Sequence, residues 1–386
     1  MKNRDAFNSS IHVPFFSPWI TKSDKKAIIR ALDSPLLTSG PKLERFEKEF
    51  AKFTGAKYAV GVSNATSALQ LSLKSCGIKK GDEVIIPDLT FVATANAISN
   101  NGATPVLADV NTDDYNILVS SIKKKITLKT KAILPVHFAG KVCDIKEIKK
   151  IADKNNLILI EDCAHAIGAW YRNKHVGTFG NAGCFSFYPT KNITTIEGGM
   201  IITNSKKIAE YTRSLRNHGI TRSLTQRYSK GKPWDYDVME AGYNYRLDEI
   251  RASLGISQLK RIRKLNLLRR KAVGYYNSKL QNIEGIIIPK LAEKNTDAHH
   301  LYVIRVIERK FKISRDKLYQ KLLENGIRAT VHYKPLHQLS AYKSPRNKNL
   351  KNATSCYKEI ISLPLYPQIS KFEQDRVVST ITKIRN

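Results

Sequence analysis

Apolar residues recur along the chain with two different spacings, and the change from one to the other divides it. In the segment from Gly40 to Gly55, Leu43, Phe46, Phe50 and Phe53 fall at helical spacing, with Pro41 near the start and Gly55 after the last apolar position. This predicts an amphipathic helix with a basic outer face. Four short runs follow that are apolar on both faces: DEVIIP (Asp82–Pro87), TPVLADV (Thr104–Val110), KAILPVHF (Lys131–Phe138) and NLILIED (Asn156–Asp162). Such runs, separated by loop or helix-like sequence, predict buried parallel strands. Between the last two, Ile145–Asn155 carries Ile148 and Ile151 at i, i+3 and reads as the crossover helix of a βαβ unit. The first two-thirds therefore reads as an α/β unit with a mostly parallel sheet.

Beyond Leu254 the texture changes. Leu254, Leu259, Ile262, Leu265 and Leu268 can share one stripe beneath a dense basic face, which predicts a long helix bridging to a second unit. That unit holds a strand-like run, His300–Ile307, a helix-like run, Ser314–Gly326, with Asp316 in its first turn, and a terminal helix from about Lys371. We expect a large domain over 1–255 and a smaller α+β domain over 256–386.

With 386 residues and 42% hydrophobic positions, the chain has ample material for a buried core. Its 65 Lys and Arg against 33 Asp and Glu leave a net charge of +32, which favours anionic partners without selecting one. The basic residues are spread along the whole chain, and no helix-turn-helix, zinc finger or RRM signature accompanies them, so no nucleic-acid partner is expected. The IKKKITLKTK segment (Ile122–Lys131) reads as surface. The five cysteines, Cys76, Cys143, Cys163, Cys184 and Cys356, are odd in number and lack ligand spacing, which argues against a disulfide scaffold or a metal module. The start of the chain lacks the apolar run of a secretory signal, and no stretch approaches the ~20 apolar residues of a membrane helix. A soluble cytoplasmic protein without membrane insertion is expected.

Four segments could carry chemistry. In VGVSNATSALQLSL (Val60–Leu73) a helix starting near Thr66 would aim free N–H groups and the Thr66 and Ser67 hydroxyls outward, a seat for a phosphate or an ordinary N-cap. NLILIED ends in Glu161 and Asp162, with His165 three residues on; only one acid can face a given ligand, because strand side chains alternate. In FSFYPTKNITTIEGGMIIT (Phe185–Thr203), Lys191 lies in apolar and hydroxylic surroundings that would lower its pKa and make its amine a nucleophile; a solvated surface lysine is the alternative. GYNYRLDEI (Gly242–Ile250) is an aromatic, amide and Arg cluster that either reaches a ligand or pins a loop.

In order, the segments SNATSAL, PDLTFVATANAI, PVHFAGKVCDI, EDCAHAIGA, FSFYPTKNITTIEGGM, RSLRNHGI and GYNYRLDEI resemble the sugar aminotransferases of the DegT/DnrJ/EryC1/StrS family, from about Pro14 to Arg385. That family consists of fold-type I pyridoxal-phosphate enzymes. The resemblance implies a large α/β domain with a seven-stranded, mostly parallel sheet, a smaller C-terminal domain, and a homodimer with shared active sites. It also implies that Lys191 holds the cofactor aldehyde as a Schiff base, that Asp162 pairs with the ring nitrogen, that His165 bonds the phenolic oxygen, and that Phe91 stacks on the ring. Ala65, Thr66, Ser67 and Ser186 would hold the phosphate, with Asn244 reaching across from the partner subunit. Ile196 departs from the family, which usually has glycine there, a change that bears on the turn after Lys191 but removes no reacting group.

The activity implied is transfer of an amino group from L-glutamate to a keto-sugar linked to a nucleoside diphosphate, for aminosugar and polysaccharide biosynthesis. Lysine at 191 favours aminotransfer, because dehydratase relatives carry histidine there. Histidine at 165 resembles the C4-aminating branch, including makers of pseudaminic acid precursors, whereas C3-aminating members tend to have glutamine; a 4-keto-6-deoxyhexose substrate is expected, with C3 amination as the alternative. His332 and His337 lie where the small domain borders the sugar site in this family, or are loop histidines. A catalytically idle relative is the remaining rival.

Overall fold

The computed structural model describes residues 12–221, 234–291, 297–344 and 349–385. A seven-stranded sheet forms its centre, built from β1 (Tyr58–Val62), β2 (Glu83–Pro87), β3 (Thr104–Ala108), β4 (Thr130–Ile133), β5 (Ile158–Asp162), β8 (Ala182–Ser186) and β9 (Gly199–Thr203). The spatial order is β1-β9-β8-β5-β4-β2-β3. β9 runs antiparallel to both of its neighbours, and the pairs from β8 through β5, β4 and β2 to β3 are all parallel. A two-stranded hairpin, β6 (Trp170–Tyr171) with β7 (Lys174–His175), lies outside the sheet.

Alternation along the strands explains why they are apolar on both faces. Val84 and Ile86 of β2 pack into a core shared with α3 (Ala65–Ser75) and α7 (Lys206–Leu215), whereas Ile85 between them packs into the opposite core. That second layer is closed by α5 (Val119–Lys125) and α6 (Ile145–Lys154) through Ile122, Ile148 and Ile151. The expected helix near Gly40 is α2 (Pro41–Thr54), ended by Gly55 at φ 77°. Its N-cap Gly40 has no side chain to offer. Instead Glu249, buried and remote in sequence, accepts from the N–H groups of Gly40, Lys42 and Leu43 at 2.7–2.9 Å.

Two expectations are corrected. The KAILPVHF run forms a strand only over Thr130–Ile133; Pro135 has no N–H for a ladder, and Val136 contributes a single bridge to Asp162. The single bridging helix is two helices, Glu249–Leu259 and Ile262–Leu280. The break falls where Arg261 bonds Asp24 Oδ2 at 2.6 Å and the Trp19 carbonyl at 3.2 Å. Beyond it Leu268 is only half-buried, and Arg269 takes the interior, donating to the carbonyls of His300 and Leu365.

A separate core gathers Tyr276, β11 (Tyr302–Val306), Phe311, the helix Arg315–Glu324, β12 (Ile360–Leu363) and the helix Lys371–Arg385. β10 (Ile286–Ile287) and β12 flank β11 in an antiparallel sheet. Val13, near the start of the chain, is buried in this C-terminal core and bridges to Ile327.

Candidate active site

The C-terminal edge of the parallel strands is where an open α/β sheet leaves a crevice. There β5 ends in two acids that point to opposite faces. Glu161 is consumed by structure: it accepts from the N–H groups of Gly177, Phe179 and Gly180 at 2.7–2.9 Å and meets His137 Nε2 at 3.1 Å. Asp162 faces the crevice. It accepts from the Thr94 hydroxyl at 2.9 Å and the Ala164 N–H at 3.1 Å. Burial nevertheless raises its pKa, outweighing those two bonds and the nearby charges of Lys191 and His137.

Lys191 lies in the turn after β8, its N–H donating to the Tyr188 carbonyl at 2.9 Å. Its neighbour Asn192 ties that turn to the later chain through the Asn266 side chain and the Ala298 carbonyl, both at 2.7 Å. Desolvation lowers the Lys191 pKa to about 8 against the opposing pull of Asp162. Downstream, the Thr194 hydroxyl receives the Ile196 N–H at 2.9 Å and itself donates to the Phe187 carbonyl at 2.9 Å. This turn places Ile196 at φ 72°, the region glycine occupies without penalty, with its side chain exposed. The substitution keeps the glycine geometry and strains it.

His165 is buried, and desolvation, with Lys191 and His332 adding to it, pushes its pKa well below the usual range. Its Nδ1 accepts from the Ala139 N–H at 3.3 Å, which assigns the proton to Nε2. That Nε2 lies 3.1 Å from the hydroxyl of Tyr333, whose ring is 5.7 Å from the ring of Phe91. Phe91 itself is 55% exposed, its face open to the crevice mouth. His300 packs 4.5 Å from His165.

The expected phosphate seat lies at α3, which starts at Ala65 with Asn64 as N-cap. Asn64 Oδ1 takes the N–H and hydroxyl of Ser67, and the Asn64 carbonyl takes the Ala68 N–H. The N–H groups of Ala65 and Thr66 are left pointing out of the helix start. Ser186 ends β8 opposite Gly199 of β9, and a Cβ on Gly199 would lie 2.5 Å from the Asn64 backbone. The seat therefore requires glycine at that point. Asn244 is exposed; its loop is held by its own chain, through a bridge to Asn217 and the Tyr245 carbonyl accepting from the Ser63 N–H at 2.9 Å.

The structure thus draws Asp162, Lys191, His165 and Phe91 around one crevice and sets Ala65, Thr66, Ser67 and Ser186 about one helix start. Asn244 stands on the outside of the chain. Thr94, Tyr333 and His300 were invisible to sequence reasoning, since nothing in their spacing distinguishes them from core residues. His332, placed near the sugar site by the resemblance, falls within reach of the Lys191 charge. His337 instead pairs with buried Asp88 at 2.5 Å.

A buried carboxylate lacking a full cationic partner, an amine kept poorly solvated, and a glycine-lined helix start with two unused N–H groups fit a flat ring bearing a cationic nitrogen, an aldehyde and a phosphate. Pyridoxal phosphate has those three groups. A family model described as the DegT/DnrJ/EryC1/StrS aminotransferase family matches residues 18–382. The spore coat polysaccharide biosynthesis protein SpsC of Bacillus subtilis is 39% identical over 376 residues, covering 96% of this chain and 97% of that protein. An uncharacterized protein of Methanocaldococcus jannaschii is 40% identical, with 96% and 97% covered. Among solved structures, Helicobacter pylori PseC, an aminotransferase of pseudoaminic acid biosynthesis, has a TM-score of 0.89 at 33% identity, with 96% and 98% covered. A Streptococcus pneumoniae protein solved in a PMP-form has a TM-score of 0.89 at 30% identity, with 97% and 99% covered.

Two outcomes follow from this geometry. In cofactor-free protein, labelling of Lys191 by an amine-directed reagent, followed by peptide mapping, rises with pH and is half-maximal near 8, because burial disfavours the protonated amine; a midpoint near the ordinary 10.5 contradicts the desolvated setting. Ile196→Gly raises unfolding stability in a denaturant titration by about 1 kcal/mol, the penalty of a left-handed non-glycine residue; an unchanged or lowered midpoint contradicts the strain.

Proposed function

Because the chain belongs to the DegT/DnrJ/EryC1/StrS aminotransferase family and is a pyridoxal phosphate-dependent sugar aminotransferase, we propose that it moves an amino group from L-glutamate to a 4-keto-6-deoxyhexose carried on a nucleoside diphosphate. The observation that carries this reading is that a buried acid, Asp162, and a poorly solvated amine, Lys191, share one crevice, each shifting the other's protonation.

In this reading Asp162 would keep the ring nitrogen protonated, and the Ala65 and Thr66 N–H groups with the Ser186 hydroxyl would hold the phosphate at the positive end of α3, the Ser67 hydroxyl joining them only by turning away from Asn64 Oδ1. Phe91 covers one face of the ring. His165, neutral and carrying its proton on Nε2, donates to the phenolic oxygen, a direction set by Ala139 on its other nitrogen. Bound there, the cofactor supplies an electron sink for the charge left when a proton leaves carbon. Lys191 Nζ takes the proton from the carbon bearing the donor's amino group, and in the second half-reaction it returns a proton to the sugar carbon that receives the nitrogen. An amine of pKa about 8 exchanges protons with carbon acids more readily near neutrality than one at 10.5.

Histidine at 165 supports C4 over C3 amination. Exposed apolar side chains on α1 (Lys22–Leu32) and just beyond it, Ile29, Leu32, Leu36 and Leu37, support a homodimer, with Asn244 reaching the partner's phosphate seat. The C-terminal core around Tyr276, Tyr302 and Phe311 supports a smaller domain within 256–386 beside a large one over 1–255, with Ile256, Leu259, Ile262 and Leu265 packing on the large-domain side. No helix among the described residues is long and apolar enough to cross a membrane, and the reaction's substrates are consistent with a cytoplasmic setting.

The test incubates the pyridoxamine-loaded enzyme with 4-keto and 3-keto nucleotide sugars and follows the visible absorbance of the regenerated aldehyde form. The 4-keto sugars regenerate it, and Lys191→Ala does not respond to any. Response to 3-keto sugars alone replaces C4 by C3, and response to none overturns the sugar assignment.

A further inference from the structure

The parallel strands begin at the pole opposite the active site, and the loops there share one composition. Glu83 opens β2 in register with Thr104 of β3 and Thr130 of β4, and Ala132 of β4 pairs with Ile158 of β5. The segments entering these strands are therefore neighbours. Lys79 and Lys80 lead into β2, Lys123 and Lys124 end α5, and Lys129 leads into β4; all are exposed. Lys154, at the end of α6 just before β5, extends the same edge. Against these six lysines the same segments hold three carboxylates, Asp82, Glu83 and Asp153, so a net positive charge remains. Asp82 is buried and accepts from the Lys79 N–H, Glu83 is buried and accepts from the Thr127 hydroxyl, and Asp153 pairs with Lys149.

Helix C-termini attract lysines for local electrostatic reasons, and that accounts for some of these residues. It does not account for Leu128, which lies between Lys124 and Lys129 in the chain and is 98% exposed. Its loop is built to hold it there. The Thr130 N–H donates to the Thr127 carbonyl at 3.1 Å, the Thr127 N–H donates to Thr130 Oγ1 at 2.9 Å, and the Thr127 hydroxyl is anchored on Glu83 at 2.6 Å. The result is a pinned turn with a bare leucine at its apex and Lys129 beside it. An apolar tip on an edge where lysines outnumber acids matches a surface that is anionic outside and apolar just beneath.

We propose that this pole is a docking face for an anionic phospholipid bilayer: the lysines bind the headgroups, and Leu128 enters the headgroup–acyl boundary. The enzyme then lies on the membrane without crossing it, with the crevice at the other end of the sheet facing the aqueous phase. Nucleic acid shares the phosphates but has no use for an exposed leucine, so the bilayer is the partner that explains both features. The proposal is independent of which sugar the active site takes.

The test mixes full-length, cofactor-loaded protein with sedimentable vesicles of phosphatidylcholine, alone or with about 30% phosphatidylglycerol, in about 0.1 M salt. The protein pellets with the anionic vesicles and stays in solution with the neutral ones. Leu128→Ser lowers partitioning about fivefold or more, and the triple variant Lys123→Glu, Lys124→Glu, Lys129→Glu abolishes it. Both variants keep the parent's aminotransferase turnover in vesicle-free buffer, which shows that they fold. Absence of pelleting on anionic vesicles overturns the proposal. So does a Leu128→Ser variant that pellets like the parent, or duplex DNA at equal phosphate concentration stripping the protein from the vesicles.

Discussion

Folding drives the Asp162 carboxylate out of water at the end of a parallel strand and gives it only a hydroxyl and one N–H in return. Glu161, its neighbour, shows what full compensation looks like: three N–H donors and an imidazole, with nothing left over. The difference between these adjacent acids organises the site. One closes a loop; the other is left in need of a cation, and the crevice before it is shaped to admit one.

Lys191 is the positive charge this crevice holds, and the histidines around it add none. His165, His300 and His332 are all pushed toward the neutral state by burial, with the Lys191 charge adding to the effect. A neutral imidazole at 165 can donate one directed hydrogen bond without competing for the Asp162 charge. Among the described residues, many of the lysines that contribute to the +32 balance sit on solvated helix faces and at the far pole of the sheet. The field of the surface and the chemistry of the interior are thereby separated by the sheet itself, with catalytic groups at one end of the strands and cationic loops at the other.

Much of this was legible in the residue pattern. The four apolar runs, the crossover helix at Ile145, and the helix between Pro41 and Gly55 follow from periodicity and from Pro and Gly placement, because both faces of the central strands are buried. The helix start at Ala65 and the turn bearing Lys191 were recognisable as local features, yet their meeting through Gly199 and Asn64 is a tertiary fact. Residues joined across long separations could not be seen: Thr94 beneath Asp162, Tyr333 against His165, and Val13 in the C-terminal core. The break at Lys260–Arg261 was missed because the helical stripe continues across it, and only the contacts of Arg261 with Asp24 and Trp19 fix the change of direction. Which of the two strand-end acids is left facing the crevice depends likewise on what surrounds each of them. Periodicity reports burial, not partners.

The central claim is that the desolvated amine of Lys191 is the group to which the aldehyde of the cofactor attaches. Its most direct measurement is borohydride reduction of the protein after incubation with pyridoxal phosphate, followed by peptide mass spectrometry. The account predicts one stable phosphopyridoxyl addition, on the peptide containing Lys191, and none there in the Lys191→Ala variant. An unmodified Lys191, or an adduct confined to surface lysines, contradicts it.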